Sequence, residues 1–425
     1  FWFYPDYPPF FTRKRRQNWQ GQLHEAKKKL SNIDMESFDM QYDFDRIIDR
    51  QGTNALKWEI YPKDVLPLWV ADMDFAVAPP IIERMKKRLE HPIYGYSINK
   101  MELVEVIQKR MEEKYRWQID RNSILLVPGI VSGFNFACRS TCNPGDSVIF
   151  QTPVYPPFFQ APINNQLDHA ENPLWYDKDE KTYKIDFNDF EKKIEKTTKL
   201  YILCNPHNPV GRVYTPDELT RLGEICTQKN VIICSDEIHS DLIFQDYQHI
   251  PIASLNPEFA NRTITFVAPS KTYNIPGLAC SAAIIPNPEL RDKFQKSIRG
   301  FCNEVSFIAQ EAGYAAYAEC EDWLKQLNMY LESNRDFLIS FVSREMPRIE
   351  MNHIQATYLA WLDCSKLEIE GSPQKFFERE AKVGLNDGSA FGKGYEHFVR
   401  LNFGTPRTIL AEALERMAEA INKNI

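Results

Sequence analysis

The chain has 425 residues, enough for two domains or for one large domain with an appendage. Hydrophobic residues are 43% and charged residues 26% of it, an ordinary globular balance, and no apolar run is long enough to cross a membrane. The net charge of -7 and the pI near 5.8 argue against a nucleic-acid-binding surface.

The nine cysteines are odd in number, scattered, and free of any Cys-x-x-Cys pair. Neither a zinc site nor a disulfide framework is suggested, and a reducing cytoplasm fits best. Residues 1–37 differ from the rest. They open on aromatics and prolines, then carry the basic runs Arg13-Lys14-Arg15-Arg16 and Lys27-Lys28-Lys29. The charge follows the apolar part, so this is no secretory signal. The segment reads as an extension, disordered or not native, with Met35 as an alternative start.

Asp64-Val65-Leu66-Pro67-Leu68-Trp69-Val70-Ala71-Asp72-Met73-Asp74-Phe75 predicts an extended stretch lying against the body. A helix is expected from Ala78-Pro79-Pro80 to about Glu90, since proline suits a first turn. Tyr94-Gly95-Tyr96-Ser97 is an aromatic loop. A helix over 101–115 places Leu103, Ile107 and Met111 on one face.

Short apolar strands then alternate with amphipathic helices, the pattern of a mainly parallel sheet covered on both faces. Strands are expected at 123–127, 146–150, 200–204, 231–234 and 263–267. Helices are expected from Gly129 to about Cys142, over 186–196 with Asp186 as cap, and after Thr215-Pro216-Asp217-Glu218, a capping box. From Asn287-Pro288-Glu289 the chain reads as helical to about residue 345. Strands at 357–362 and 398–403 and a helix over 406–421 complete it. The fold class is α/β: a large domain with a mainly parallel sheet flanked by helices, plus a smaller α+β domain from N- and C-terminal segments. The division is 38–80 and 299–425 for the small domain and 81–298 for the large, cofactor-binding one.

Gly129, Asn208, Asp236 and Lys271 all stand just after strand-like runs. In a parallel sheet those ends share one edge, so they converge on one crevice. A lysine there can lose its proton by desolvation and condense with a carbonyl compound. A lysine, a carboxylate and an anion-binding helix start are the parts that hold pyridoxal 5'-phosphate. Lys271 would bond it covalently. Asp236 would keep the pyridine nitrogen protonated. Backbone N–H groups of Gly129, Ile130 and Val131 would bind the phosphate, with a hydroxyl from Ser270. Tyr155 would stack on the ring and Asn208 would bond its hydroxyl.

Each residue also has a simpler reading. Gly129 serves as a turn, Asp236 as a cap or metal ligand, Tyr155 as core, Asn208 as a turn residue, His239 as a structural histidine, and Arg400 as a partner for an acid. A metal site is disfavoured, because ligands on one short stretch lack the placement for closure.

Asn205-Pro206-His207-Asn208-Pro209-Val210-Gly211, Ser235-Asp236-Glu237-Ile238-His239-Ser240-Asp241 and Ser270-Lys271-Thr272-Tyr273-Asn274-Ile275-Pro276-Gly277 resemble the fold type I, aspartate-aminotransferase-like pyridoxal phosphate enzymes. The resemblance runs from about residue 40 to the C-terminus. Trp69-Val70-Ala71-Asp72-Met73-Asp74-Phe75, Pro153-Val154-Tyr155-Pro156-Pro157-Phe158 and Val399-Arg400-Leu401-Asn402-Phe403-Gly404 are similar to the MalY/PatB cystathionine β-lyase (carbon–sulfur lyase) branch.

The resemblance implies that Lys271 is the Schiff-base lysine and proton shuttle, and that Asp236 pairs the pyridinium. It places Asn208 and His239 near the ring oxygen and Tyr155 on the ring face. Tyr96 would reach the phosphate of a neighbouring subunit, implying a homodimer with shared sites. Arg400 would grip the substrate α-carboxylate. The expected reaction is β-elimination of thiol from L-cystathionine or a related cysteine S-conjugate. An aminotransferase, or a cofactor-binding regulatory protein with little turnover, is the alternative. Two positions depart from the wider pattern. Ala279 stands where many aminotransferases of this fold have a phosphate-binding arginine, which favours the lyase. Tyr214 stands where a tryptophan is expected, and the sequence attaches no consequence to it.

Overall fold

The computed structural model describes residues 41–424. The segment 1–37 lies outside the described residues.

The main sheet has seven strands, in the order Ile124–Val127, Ser281–Ile284, Thr263–Val267, Ile232–Asp236, Thr198–Cys204, Ser147–Thr152 and Asp168–Pro173. Ser281–Ile284 runs against both of its neighbours, and the other pairs are parallel. Six strands therefore point the same way, and their carboxyl ends form one edge. Two of the seven carry little sequence signal. Asp168–Pro173 is a polar edge strand, and Ser281–Ile284 is short and built of small residues.

Helices cover both faces. Ile130–Thr141, Pro157–Asn164 and Pro288–Ile298 bury Phe134, Phe136, Phe158 and Phe294 against Phe150 and Phe266 of the sheet. Each such ring contributes roughly 1.5–3 kcal/mol by leaving water. Phe187–Lys193 and Pro216–Gln228 cover the other face with Phe190, Leu219 and Leu222. The capping box expected at Thr215 and Glu218 is present in both its bonds.

A second sheet is antiparallel, in the order Glu350–Met351, Leu359–Asp363, Phe398–Asn402 and Asn386–Asp387. The helices Phe307–Glu319, Glu321–Glu345 and Arg407–Asn424 accompany it. The expected unbroken helix to residue 345 is corrected here. Gly300 adopts φ +80° after the first helix, and Ser306 opens the next by accepting the Ala309 N–H. The strand expected at 357 begins at Leu359, because Thr357 has φ +74°, which a strand does not admit. The division at 80 and 298 stands as a proposal, and one core crosses it: Ile81, Leu103 and Ile107 cluster with Ala309, Ala312 and Ala316.

Gly133 lets the helix Ile130–Thr141 approach the sheet. A Cβ added there would lie 2.5 Å from the Phe266 ring. Alanine normally gains about 0.5–1 kcal/mol over glycine inside a helix. Overpacking a close-packed ring costs about 1–3 kcal/mol. The second effect wins, so Gly133→Ala should lower the urea midpoint. A midpoint at or above that of the wild type would show that Phe266 yields.

Candidate active site

The site lies along the shared carboxyl edge of the main sheet. Thr263–Val267 ends at Ala268, and Pro269–Thr272 forms one helical turn that carries Lys271. Pro269 suits the first position of that turn, where no N–H partner is needed. Lys271 is half-buried, and its Nζ donates to the Ala71 carbonyl at 2.6 Å. Desolvation lowers its pKa to about 8; Asp72 and Asp236 oppose this and Arg400 adds to it. A lysine of this kind offers a free amine near neutral pH.

Asp236 is the last residue of the next strand, buried, with Oδ1 accepting the Ile238 N–H at 3.2 Å. Burial pushes its carboxyl up to about 7, against that N–H and Lys271. His239, one turn further, is buried with Nδ1 lacking a partner among the described residues. Burial, with Lys271 and Arg400 adding their charge, holds it neutral by lowering its pKa to about 3.

Arg400 sits in the middle of Phe398–Asn402, buried. Its guanidinium donates to Asn208 Oδ1 at 2.9 Å, to the Trp69 carbonyl at 3.0 Å and to Asn386 Oδ1 at 2.5 Å. All three acceptors are neutral. No carboxylate lies within ion-pair distance of it among the described residues, so the reading of Arg400 as a partner for an acid fails. Burial lowers its pKa to about 10, which leaves it charged at neutral pH. A buried cation with amide partners only is suited to receive an anion.

Gly129 has φ +91°, which glycine tolerates, and it precedes the helix Ile130–Thr141. A Cβ there would meet nothing within 4 Å, so the space over the helix start is open. The first N–H groups of that helix, beginning at Ile130 and Val131, have no intrahelical acceptor and suit an anion. Ser270 is buried beside Lys271. Tyr155 is half-buried on the loop after Ser147–Thr152 and acts electrostatically on Arg400 and Tyr358. Asn208 is buried and spends its carbonyl oxygen on Arg400, so only its amide nitrogen remains to donate to a ring oxygen.

Of the expected residues, Tyr96 alone stands apart. It is fully exposed on the 91–99 segment, beside exposed Ile93, Tyr94 and Ile98. Ala279 is exposed and left-handed, at the end of the turn Pro276–Leu278.

Sequence reasoning missed what the segment 69–74 does. Its carbonyls are taken by side chains one after another. Trp69 accepts from Arg400, Val70 and Asp72 from Asn402, Ala71 from Lys271 and Tyr358, and Met73 from Asn274. Arg50 and Lys57 fix Asp74, and Arg50 also fixes Asp72. Tyr358 and Asn386 were also missed: the first lies in an expected strand that gave no sign of a polar role, and the second stands in no patterned stretch. These residues fit pyridoxal phosphate. The unpartnered His239 nitrogen, the carboxyl of Asp236 without a cation and the open helix start answer its oxygen, ring nitrogen and phosphate.

Residues 63–417 match the family described as aminotransferase class I and II. The chain belongs to that family. It is 38% identical over 387 residues to cystathionine beta-lyase PatB of Bacillus subtilis, covering 89% of this chain and 100% of that one. Cystalysin of Treponema denticola, solved with pyridoxal 5'-phosphate, is 35% identical with a TM-score of 0.87, covering 90% and 100%. A putative aminotransferase of Clostridium difficile, solved with the cofactor bound, is 39% identical with a TM-score of 0.86, covering 90% and 100%. One fold hosts more than one reaction, so the chemistry is decided by the site.

The Asp236 carboxyl supplies a pH test. Its folded pKa of about 7 lies above its ordinary value of 3.8. The stability it contributes is therefore full below about pH 4 and is lost as pH rises through about 7. Lys271, held low, changes stability only above about pH 8 and does not disturb that window. Cofactor-free Asp236→Asn should lose less stability than the cofactor-free wild type between about pH 4 and about pH 8. Parallel urea midpoints check this, and equal losses would refute the shift.

Proposed function

We propose that the chain is a pyridoxal phosphate-dependent carbon–sulfur β-lyase that eliminates thiol from L-cystathionine or related cysteine S-conjugates, leaving pyruvate and ammonia. The observation that carries this reading is that Lys271 and Asp236, at the edge of the main sheet, and Arg400, in the second sheet, have no ionic partners among the described residues. The likeness to PatB and to cystalysin supports the lyase chemistry.

When bound through Lys271, the cofactor supplies an electron sink conjugated to the substrate Cα. Asp236 holds a proton on the ring nitrogen, so the sink stays open. His239 and the Asn208 amide would hold the ring oxygen, and Tyr155 would cover a ring face. The N–H groups of Ile130 and Val131, with Ser270, would hold the phosphate; the Gly129 N–H expected to join them is taken by the Val127 carbonyl at 2.9 Å. Arg400 binds the substrate carboxylate and so fixes which Cα bond stands over the ring. Lys271 Nζ would take the Cα proton, and its lowered pKa suits it to do so near neutral pH. The Ala71 carbonyl then gives the lysine ammonium an acceptor. The thiolate departs from Cβ with the electron pair. The three-carbon fragment leaves and hydrolyses to pyruvate and ammonia.

Tyr96 would complete the phosphate site of a second copy, and the exposed apolar side chains around it would be covered in that homodimer. No helix among the described residues is long and apolar enough to cross a membrane. A cytoplasmic setting agrees with the free cysteines.

An aminotransferase is the second reading, supported by the likeness to the Clostridium difficile protein. Purified protein should release pyruvate and thiol from cystathionine. Transfer of the amino group to 2-oxo acids without thiol release would replace the lyase by the transaminase. Lys271→Ala should lose the visible cofactor band and thiol release together. Arg400→Ala should lower kcat/KM by roughly 10- to 100-fold, the size of a lost charge-assisted bond. An unchanged kcat/KM would remove Arg400 from the substrate site.

A further inference from the structure

Two loops leave the carboxyl ends of neighbouring parallel strands and carry Tyr155 and Asn208. Ser147–Thr152 leads into Pro153-Val154-Tyr155, and Thr198–Cys204 leads into Asn205-Pro206-His207-Asn208. One side chain spans them. His207 Nε2 lies 2.7 Å from the Pro153 carbonyl, two residues before Tyr155. A carbonyl only accepts, so Nε2 carries the hydrogen. His207 is buried, and burial lowers its pKa to about 4, against the Pro153 and Cys204 carbonyls, so the ring is neutral and has one N–H. Nδ1 then bears a lone pair. The Tyr214 hydroxyl lies 3.0 Å from it and donates to it. Tyr214 is itself buried and fixed at its backbone, its N–H donating to Asn205 Oδ1 at 3.1 Å.

We infer that Tyr214 and His207 are positioning residues: the Pro153 carbonyl sets the His207 tautomer, the Tyr214 hydroxyl satisfies the Nδ1 lone pair that this tautomer leaves, and the ring so held ties the Tyr155 loop to the Asn208 turn. The opposite tautomer would set the Nε2 lone pair against a carbonyl lone pair at 2.7 Å. Asn208 continues the chain of contacts, since its Oδ1 holds Arg400. The ring-stacking side chain, the ring-oxygen donor and the carboxylate grip are thus set by one hydrogen-bonded series. The departure at Tyr214 acquires a role. A residue at that position must donate a hydrogen to a buried imidazole, and phenylalanine cannot.

This inference rests on the cofactor site proposed above. The test uses holoenzyme and reads circular dichroism of the visible cofactor band per bound cofactor, the cofactor Kd, and the split of KM from kcat. Tyr214→Phe and His207→Phe should each lower the band's dichroism by half or more and raise the cofactor Kd roughly tenfold, the effect of orphaning one buried polar group. His207→Gln should restore both within about twofold, because an amide donates and accepts from adjacent atoms as neutral histidine does. Dichroism and Kd unchanged in both phenylalanine variants would overturn the proposal. So would a fall in melting temperature alone, which would mark the pair as merely structural. Failure of the wild type to release thiol would count against the lyase reading and leave these cofactor readouts intact.

Discussion

Asp236 and Lys271 at the edge of the main sheet and Arg400 in the second sheet have no ionic partner among the described residues, and the remaining architecture serves to tolerate that arrangement. An unpaired buried charge is costly, and a fold without a use for it would neutralise it or move it to solvent. Here burial raises the acid and lowers the two bases. The surrounding structure must hold each group where it resists relaxing. The lysine sits on a proline-led turn, the acid ends a central strand, and the arginine lies mid-strand in a second sheet. Each backbone is locked on both sides by sheet bonds or by its turn. The charges are therefore compensated only by what enters.

Charge is handled differently elsewhere in the same molecule. Asp241 lies close by in sequence, yet Arg110 and Lys114 pair with it and hold its carboxyl well below the usual range. Its Oδ2 also accepts from Thr272, the residue after Lys271. Asp74 is likewise neutralised by Arg50 and Lys57. Both acids are structural and sit beside the working ones. Pairing within the chain separates these two acids from Asp236, which has no ionic partner among the described residues.

The alternation of apolar strands and capped helices made the large sheet legible, since period and caps are local signals. Lys271, Asp236, Asn208 and Gly129 were found by one rule, that parallel strands end on one edge. The polar strand Asp168–Pro173 and the reversed strand Ser281–Ile284 escaped because their pairing is decided by neighbours far along the chain. The 69–74 segment was legible as extended but not as functional. Its contribution is made by backbone carbonyls, which every residue has and which no sequence motif marks. Tyr358 was expected in a strand, but the positive φ of Thr357 delays that strand to Leu359, and Asn386 stands in a two-residue strand too short for periodicity to show. Tyr214 was noticed as a departure, but its partner at His207 became visible only through a bond across the turn.

The 69–74 segment joins two side chains that stand on different sheets. Arg400 holds the carbonyl of Trp69, and Lys271 holds that of Ala71, two residues along the same extended peptide. Asn402 grips the carbonyls of Val70 and Asp72 on either side of Ala71, so the peptide has little freedom to absorb a displacement. A guanidinium of the second sheet and an amine at the edge of the first therefore rest on one short stretch of main chain, without any side chain in common.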